Sequence, residues 1–324
     1  MCMTIKTAFV FIVACCVVIA KLAAAQDYPI KPVRLVVPFP PGGPTDIVGR
    51  MTADALARTW KTQIVSDYRP GAGGNLGSEL CTKAAPDGYT MCIISIAQTI
   101  SLSLYAKLPF DPRKDFAHVT LLATLPSLLV VHPSLPVKNV RELISLAKSR
   151  RGALNYASGG HGTSSQLLME MFKQYGDVSI AHIPYKGTGP ALVEQIAGTI
   201  EVAFSTVIAA QPYVKAGRLR AIAVSTKDRF APMSNVPTVD EAGLKGFDGG
   251  SWQGLVMPAG VPREIVHRVN ADLEKVLSTA EMKEKSFALG AIALGTSPEA
   301  FSAFVRSEAD KWAKVIKVAG IRGE

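Results

Sequence analysis

Short apolar runs alternate with longer mixed stretches along most of the chain. Val33 to Phe39 reads as a buried strand, and Thr45 to about Thr59 as a helix. Gln63 to Tyr68 predicts a second strand, followed by a Gly-rich turn and a helix reaching Ala85. Asp87-Gly88 then turns into a strand over Thr90 to Ser95. Short strands spaced by helical segments predict parallel βαβ units. Phe116 to Thr124 is a further strand, and Pro126 marks a change of direction. A second set opens with Leu128 to Val131, and Asn139 is placed to cap a helix over Val140 to Ser149. Strands over Leu154–Ala157, Ile180–Pro184, Ile200–Phe204 and Leu219–Ser225 alternate with helices ending at Tyr175, Ala197 and Val214. After Pro237 the pattern loosens to a strand over Trp252–Met257 and an amphipathic helix from Pro262 to about Ser278. A last helix runs from Pro298 to about Val318, with Phe301, Phe304, Val305, Trp312 and Val315 as its core face.

Two such blocks with a late return predict an α/β protein of two lobes with a ligand cleft between them. The crossings fall near residues 124–128 and 226–250. Residues 26–125 and 247–324 would build the first lobe and 126–246 the second, closing on a ligand by a hinge.

The first 25 residues read as an export leader. Lys6 precedes an apolar run over Ala8 to Ala20, too short to span a bilayer comfortably, and Ala23-Ala24-Ala25 is a small-residue cleavage site. A cut at the Ile12-Val13-Ala14-Cys15 lipoprotein box is the second choice, because it leaves Val17-Val18-Ile19-Ala20 on the mature chain. Losing Lys6 and Lys21 with the leader lowers the net charge from +9 to +7, which favours anionic partners in general. The basic residues are scattered, so no nucleic-acid face is expected. Cys2, Cys15 and Cys16 leave with the leader. Cys81 and Cys92 remain on either side of Pro86-Asp87-Gly88, where they form a disulfide or stay as two buried thiols; geometry decides.

Three turns after strands are rich in glycine or hydroxyls: residues 38–46, 69–75 and 158–165. In the first, Pro38-Phe39-Pro40-Pro41-Gly42-Gly43 runs straight into a helix, whose first amides have no helical partner and suit an anion. In the third, Ser158, Thr163 and Ser164 add hydroxyl donors at a helix start. Both loops equally allow plain helix capping. Gly71-x-Gly73-x-x-x-Gly77 does not make a dinucleotide site: it follows the second strand, its spacing is long, and no acid ends the next strand. No cofactor is expected. His118, His132, His161, His182 and His267 lack metal-ligand spacing, and no catalytic set is legible. An exported hydrolase using Ser164 or Ser251 is the enzyme alternative.

Several segments resemble one family. They are Tyr28-Pro29 through Pro38-Phe39, Arg69-Pro70-Gly71-Ala72-Gly73-Gly74-Asn75, Ala84-Ala85-Pro86-Asp87-Gly88-Tyr89-Thr90, Leu154-Asn155-Tyr156-Ala157-Ser158, Pro184-Tyr185-Lys186-Gly187, Val236-Pro237-Thr238 and Trp252-x-Gly254. Together they are similar to the Bug family, the periplasmic substrate receptors of tripartite tricarboxylate transporters. The resemblance implies a periplasmic-binding-protein fold of the second type and a small carboxylate ligand: an organic acid, an aromatic acid or an acidic amino acid. It implies a monomer that passes its ligand to transporter membrane subunits; presentation to a sensor protein is the alternative. It assigns one carboxylate end to Phe39, Pro41, Gly42, Gly43, Thr45 and Asp46, with Ala157, Ser158, Gly160, Gly162 and Thr163. His161 stands in the same loop, where many relatives have Asn. Ser95, Gln98 and Ser205 are candidates for the far end. Many relatives carry Asp where this chain has Ser205, which argues against a cationic far end.

Overall fold

The apolar runs become two sheets, each faced by helices. The computed structural model describes residues 28–150 and 152–319. The leader, its cleavage site and Cys15 lie outside the described residues. Strands β1 (Val33–Val37), β2 (Ile64–Tyr68), β3 (Thr90–Ser95) and β4 (Phe116–Leu125) come first. Strands β5 (Ser127–Val131), β6 (Asn155–Ser158), β7 (Ala181–Pro184), β8 (Val202–Thr206) and β9 (Arg220–Val224) follow. Strands β10 (Ser251–Pro258) and β11 (Ile292–Ala293) come last. One sheet has the order β11-β4-β10-β3-β1-β2 and the other β7-β6-β8-β5-β9.

The two sheets repeat one plan. In each, three parallel strands stand side by side, β2-β1-β3 and β7-β6-β8. In each, the next strand is antiparallel: β10 against β3, β5 against β8. Both antiparallel strands begin where the chain has just crossed between the sheets. The first crossing is only Pro126, between Leu125 of β4 and Ser127 of β5. The second runs from Val224 to Ser251. Ser225 ties the two crossings together. Its amide donates to Ser127 O (2.8 Å), and its carbonyl accepts from Gly249 N (3.0 Å). Its hydroxyl accepts from Ser127 N (3.2 Å) and donates to Gly249 O (2.6 Å).

Helices α1 (Pro44–Trp60), α2 (Asn75–Thr82) and α3 (Ile96–Leu104) belong to the first three strands, and α4 (Val140–Ser149) through α7 serve the second sheet. These are α5 (Ser164–Gly176), α6 (Thr188–Ala197) and α7 (Val207–Lys215). Helices α8 (Arg263–Leu277), α9 (Ala280–Leu289) and α10 (Pro298–Ala319) close the chain. Strand alternation divides β1 between two cores. Val33, Leu35 and Val37 pack with Leu56, Leu255 and Val269, while Val36 packs with Trp252, Phe301 and Trp312. On β10, Trp252 and Gly254 both face α10. A Cβ on Gly254 would stand 2.0 Å from Phe301, so only glycine admits that ring. Buried Glu308 accepts from the indoles of Trp252 and Trp312, both at 3.0 Å.

The sequence pattern predicts no helix between Ser95 and Phe116, and neither α9 nor β11, yet the structure has all three. Helix α3 is buried almost all round, so it lacks an amphipathic period. Its signal was a capping box: the Ser95 side chain accepts from Ala97 N, and Gln98 Oε1 accepts from Ser95 N at 2.8 Å.

Cys81 of α2 is disulfide-bonded to Cys92 of β3, with the Cα atoms 6.3 Å apart. The bridge closes a short loop, 11 residues in separation. Replacing both cysteines with Ala is expected to lower unfolding free energy by about 3 kcal/mol through the freer unfolded chain. Equilibrium denaturation of the two proteins, without reductant, measures the difference.

Candidate functional site

The loops that follow β1, β3, β6 and β7 leave the carboxyl ends of parallel strands and meet between the sheets. Several lead straight into helices. Gly43 is the N-cap of α1, Thr163 of α5 and Gly187 of α6, and none of these helix starts has a side-chain cap. Two other helices do carry such caps. Asn139 caps α4 by accepting from Glu142 N, and Thr279 caps α9 by accepting from Met282 N. In the cleft Ser95 caps α3 in the same way, but the hydroxyls at the start of α5 are used otherwise. Thr163 Oγ1 donates to Gly160 O (2.7 Å) and stands 3.0 Å from Ser165 Oγ, which accepts from Gly159 N (3.0 Å). Uncapped helix starts leave first-turn amides for a ligand and add the positive end of each helix dipole.

Two chambers lie here. The smaller, about 30 Å³, is lined by Thr45 of α1, Ser95, Thr163, Ser165, Thr188 of α6 and Gln253 of β10, among others. No Asp, Glu, Lys or Arg side chain lines it. The larger, about 380 Å³, is walled by the Gly71–Gly74 turn, Tyr105, Gly160, His161, Tyr185 and Lys186. Phe39 stands in the wall of both.

The walls of these chambers come together through backbone contact between the lobes. A Cβ on Gly189 would stand 2.6 Å from Pro41 O, and one on Gly73 would stand 2.5 Å from His161 O. Gly73 also has φ +63°, in the left-handed region. Gly189 has no such backbone constraint, so space alone demands its missing side chain.

Asp46, buried in the first turn of α1, is fully engaged. It accepts from Gly42 N (2.8 Å) and the Tyr68 hydroxyl (2.7 Å), and Arg50 stands 3.1 Å away. Its carboxylate holds the Pro41–Gly43 turn rather than lining either chamber. Ser158 is equally engaged: its hydroxyl lies 2.6 Å from His182 Nε2 and accepts from Gly160 N (3.0 Å). Burial pulls His182 down to about 4, with His161 adding to the effect and Glu170 opposing it. A ring that binds a proton so weakly is a poor base for Ser158, and its other nitrogen faces the Gln166 amide at 3.5 Å rather than a carboxylate. The Ser–His contact supports the loop.

Of the residues singled out from the sequence, Phe39, Gly43, Thr45, Ser95, Gly160, His161, Thr163, Ser164 and Ser251 line a chamber. Pro41, Gly42 and Gly162 form the turns behind those walls; Gly162 N donates to Gln166 Oε1 (2.8 Å). Ala157 is core at the end of β6. Gln98 is fully buried behind Ser95; its Nε2 has no hydrogen-bond partner and points at Gly74, 2.7 Å from where a Cβ would stand. Ser205 lies on β8 opposite Leu128 and lines neither chamber. The sequence does not single out Tyr105, Tyr185, Lys186, Thr188 or Gln253, and it offers Ser251 only as a hydrolase nucleophile. Tyr185 and Lys186 sat in a segment quoted for resemblance alone. Ser251 and Gln253 reach the site only because β10 returns from far along the chain to lie beside β3. Among the described residues, no group of three or more His, Cys, Asp or Glu could hold a metal ion.

Residues 48–321 match the model of the tripartite tricarboxylate transporter family receptor. The chain is 31% identical to BugT of Bordetella pertussis (strain Tohama I) over 306 residues, 94% of each protein. It superposes on an R. palustris protein solved with adipate with a TM-score of 0.90 and 36% identity, covering 92% of this chain and 100% of that one. MatC from Rhodopseudomonas palustris, solved with bound malate, gives a TM-score of 0.85 and 32% identity, covering 89% and 100%.

Proposed function

The chain belongs to the tripartite tricarboxylate transporter receptor family, and we propose that it holds a small carboxylate between its lobes and delivers it to the membrane subunits of such a transporter. It is a solute-binding receptor like its relatives, which include a periplasmic binding protein, BugD. Export by cleavage after Ala25 fits that location.

The observation that carries the reading is the set of uncapped helix starts around the smaller chamber. Amides near Thr45, Ser165 and Thr188 give fixed donors for a carboxylate, and no cationic side chain is needed there. The larger chamber takes the body of the acid past Phe39, between Tyr105 and Tyr185, with exposed Lys186 at its rim. That chamber suits an extended dicarboxylate or an aromatic acid. Relatives solved with adipate and malate bind acids of two such lengths. Nothing in this task requires a bond to be made or broken, and release demands moderate affinity.

The carboxylate reading is tested by thermal unfolding of ligand-free protein against mono-, di- and tricarboxylates, aromatic acids and amino acids. At a hundred times its dissociation constant the bound acid adds about 2.7 kcal/mol of stability. A shift confined to carboxylates is expected; no shift with any of them would contradict the reading. Closure is tested by Gly189→Ala. In the first turn of α6 the methyl favours the helix, but it meets Pro41 O across the cleft. Affinity for the acid found in the screen is expected to fall at least tenfold, by calorimetry, with no loss of unliganded thermal stability. Unchanged affinity would show that the lobes need not meet there.

A further inference from the structure

The lobes also meet beside the crossing, and there the contact is made by apolar side chains. Ile208 follows β8 of the second sheet, in the first turn of α7, yet it is 3% exposed and belongs to a core built on the first sheet. That core includes Val48 of α1, Leu122 of β4, Leu273 of α8 and Ala291. Gly290, at the end of α9, closes over the same turn of α7. A Cβ there would stand 2.4 Å from Val207 Cγ1 and 2.8 Å from Ile208 N. Near the end of α9, Phe287 sets its ring 5.2 Å from that of Phe230, which belongs with Val207 to the core of the second lobe. None of the residues in this contact lines either chamber.

We propose that the socket for Ile208 holds the lobes partly closed before any ligand binds, which makes Ile208 and Phe287 positioning residues that raise affinity without touching the acid. The inference rests on the receptor reading and adds to it what sets the gap between open and closed lobes. Strand β8 is parallel to β6, so α7 starts on the same side of the second sheet as the Ser158–Ser165 loop, the side that faces the cleft. Val207 N donates to Pro126 O (2.8 Å), which anchors that turn at the crossing. A rotation about the crossing that opens the cleft draws this side of the second sheet off the first lobe, and Ile208 with it. Withdrawing Ile208 returns apolar surface to water on the side chain and on the socket, which opposes opening. Phe287 loses its ring partner in the same motion. The apparent affinity of a protein that must close scales with the fraction of it that is closed. Truncating the socket therefore weakens every ligand by one common factor, because nothing at the recognition site has changed.

The test compares the purified mature protein with Ile208→Ala and with Phe287→Ala, the latter at a half-exposed position. Small-angle X-ray scattering without ligand is expected to give each variant a larger radius of gyration than the wild type. Calorimetry with the carboxylates that bind is expected to show a loss of roughly tenfold for Ile208→Ala, as removal of most of a buried aliphatic side chain implies. The loss for Phe287→Ala is smaller, and for each variant the factor is the same for every acid. A purely structural role would lower the melting temperature and leave the radius of gyration and the affinity of the folded protein unchanged; that result would overturn the inference. Factors that differ among acids by more than a few-fold would overturn it too, by placing the effect in recognition. If Ile208→Ala is poorly folded, Phe287→Ala carries both measurements. If no carboxylate binds the wild type, the carboxylate reading fails by itself and the scattering still decides: larger ligand-free radii in the variants support the socket, and equal radii overturn it.

Discussion

Everything at the cleft depends on how closely two backbones can approach. Gly189 lies against Pro41, and Gly73 against the carbonyl of His161, at separations that no side chain would fit. Only with those contacts made do the starts of α1 and α6 stand around one small volume. A single helix start favours an anion by a few tenths to about 1 kcal/mol where water competes. Several of them around a chamber shielded from water act in a lower dielectric, where the same partial charges count for more. The glycines supply no energy themselves; they set the distance at which the amides become a site.

The sheets explain why the loops arrive in register. Each places three parallel strands together, so their carboxyl ends and the following helix starts fall on one side. Each then takes an antiparallel strand directly after a crossing. The crossings are short at Pro126 and tied by the four hydrogen bonds of Ser225 to Ser127 and Gly249. A clasp confined to a few residues lets the lobes turn about it while each sheet keeps its own packing. The price of this arrangement is that the cleft floor is supplied by β10, a strand distant in sequence from its neighbours.

Much of this was legible in the sequence, for reasons that differ by element. The strands of the parallel units were readable because they are short apolar runs bounded by Gly and Pro; Thr90–Ser95 and the helix Val140–Ser149 fall where the pattern put them. Helix Ile96–Leu104 was not, because burial on all sides removes the periodicity that marks a helix, although Ser95 and Gln98 carried its cap. The same pair shows what the fold adds to a site residue: offered as ligand contacts, they hydrogen-bond each other, while Ser95 lines the smaller chamber and Gln98 lies behind it. Asp46 carried a correct address, the first turn of α1, but only the fold shows its carboxylate occupied by Gly42, Tyr68 and Arg50. Gln253 left no local signal, since it reaches the chamber only through pairing across more than a hundred residues of chain.

The central claim is that helix amides, not cationic side chains, hold an ionised carboxylate. Its most direct test is a calorimetric comparison of the best-binding acid with the same molecule carrying a neutral carboxamide in place of that carboxylate. The account predicts that the amide loses at least a hundredfold in affinity, about 2.7 kcal/mol, because its NH₂ faces donors that have nothing to accept. An amide that binds within a few-fold of the acid would contradict it and show that the chamber recognises shape rather than charge.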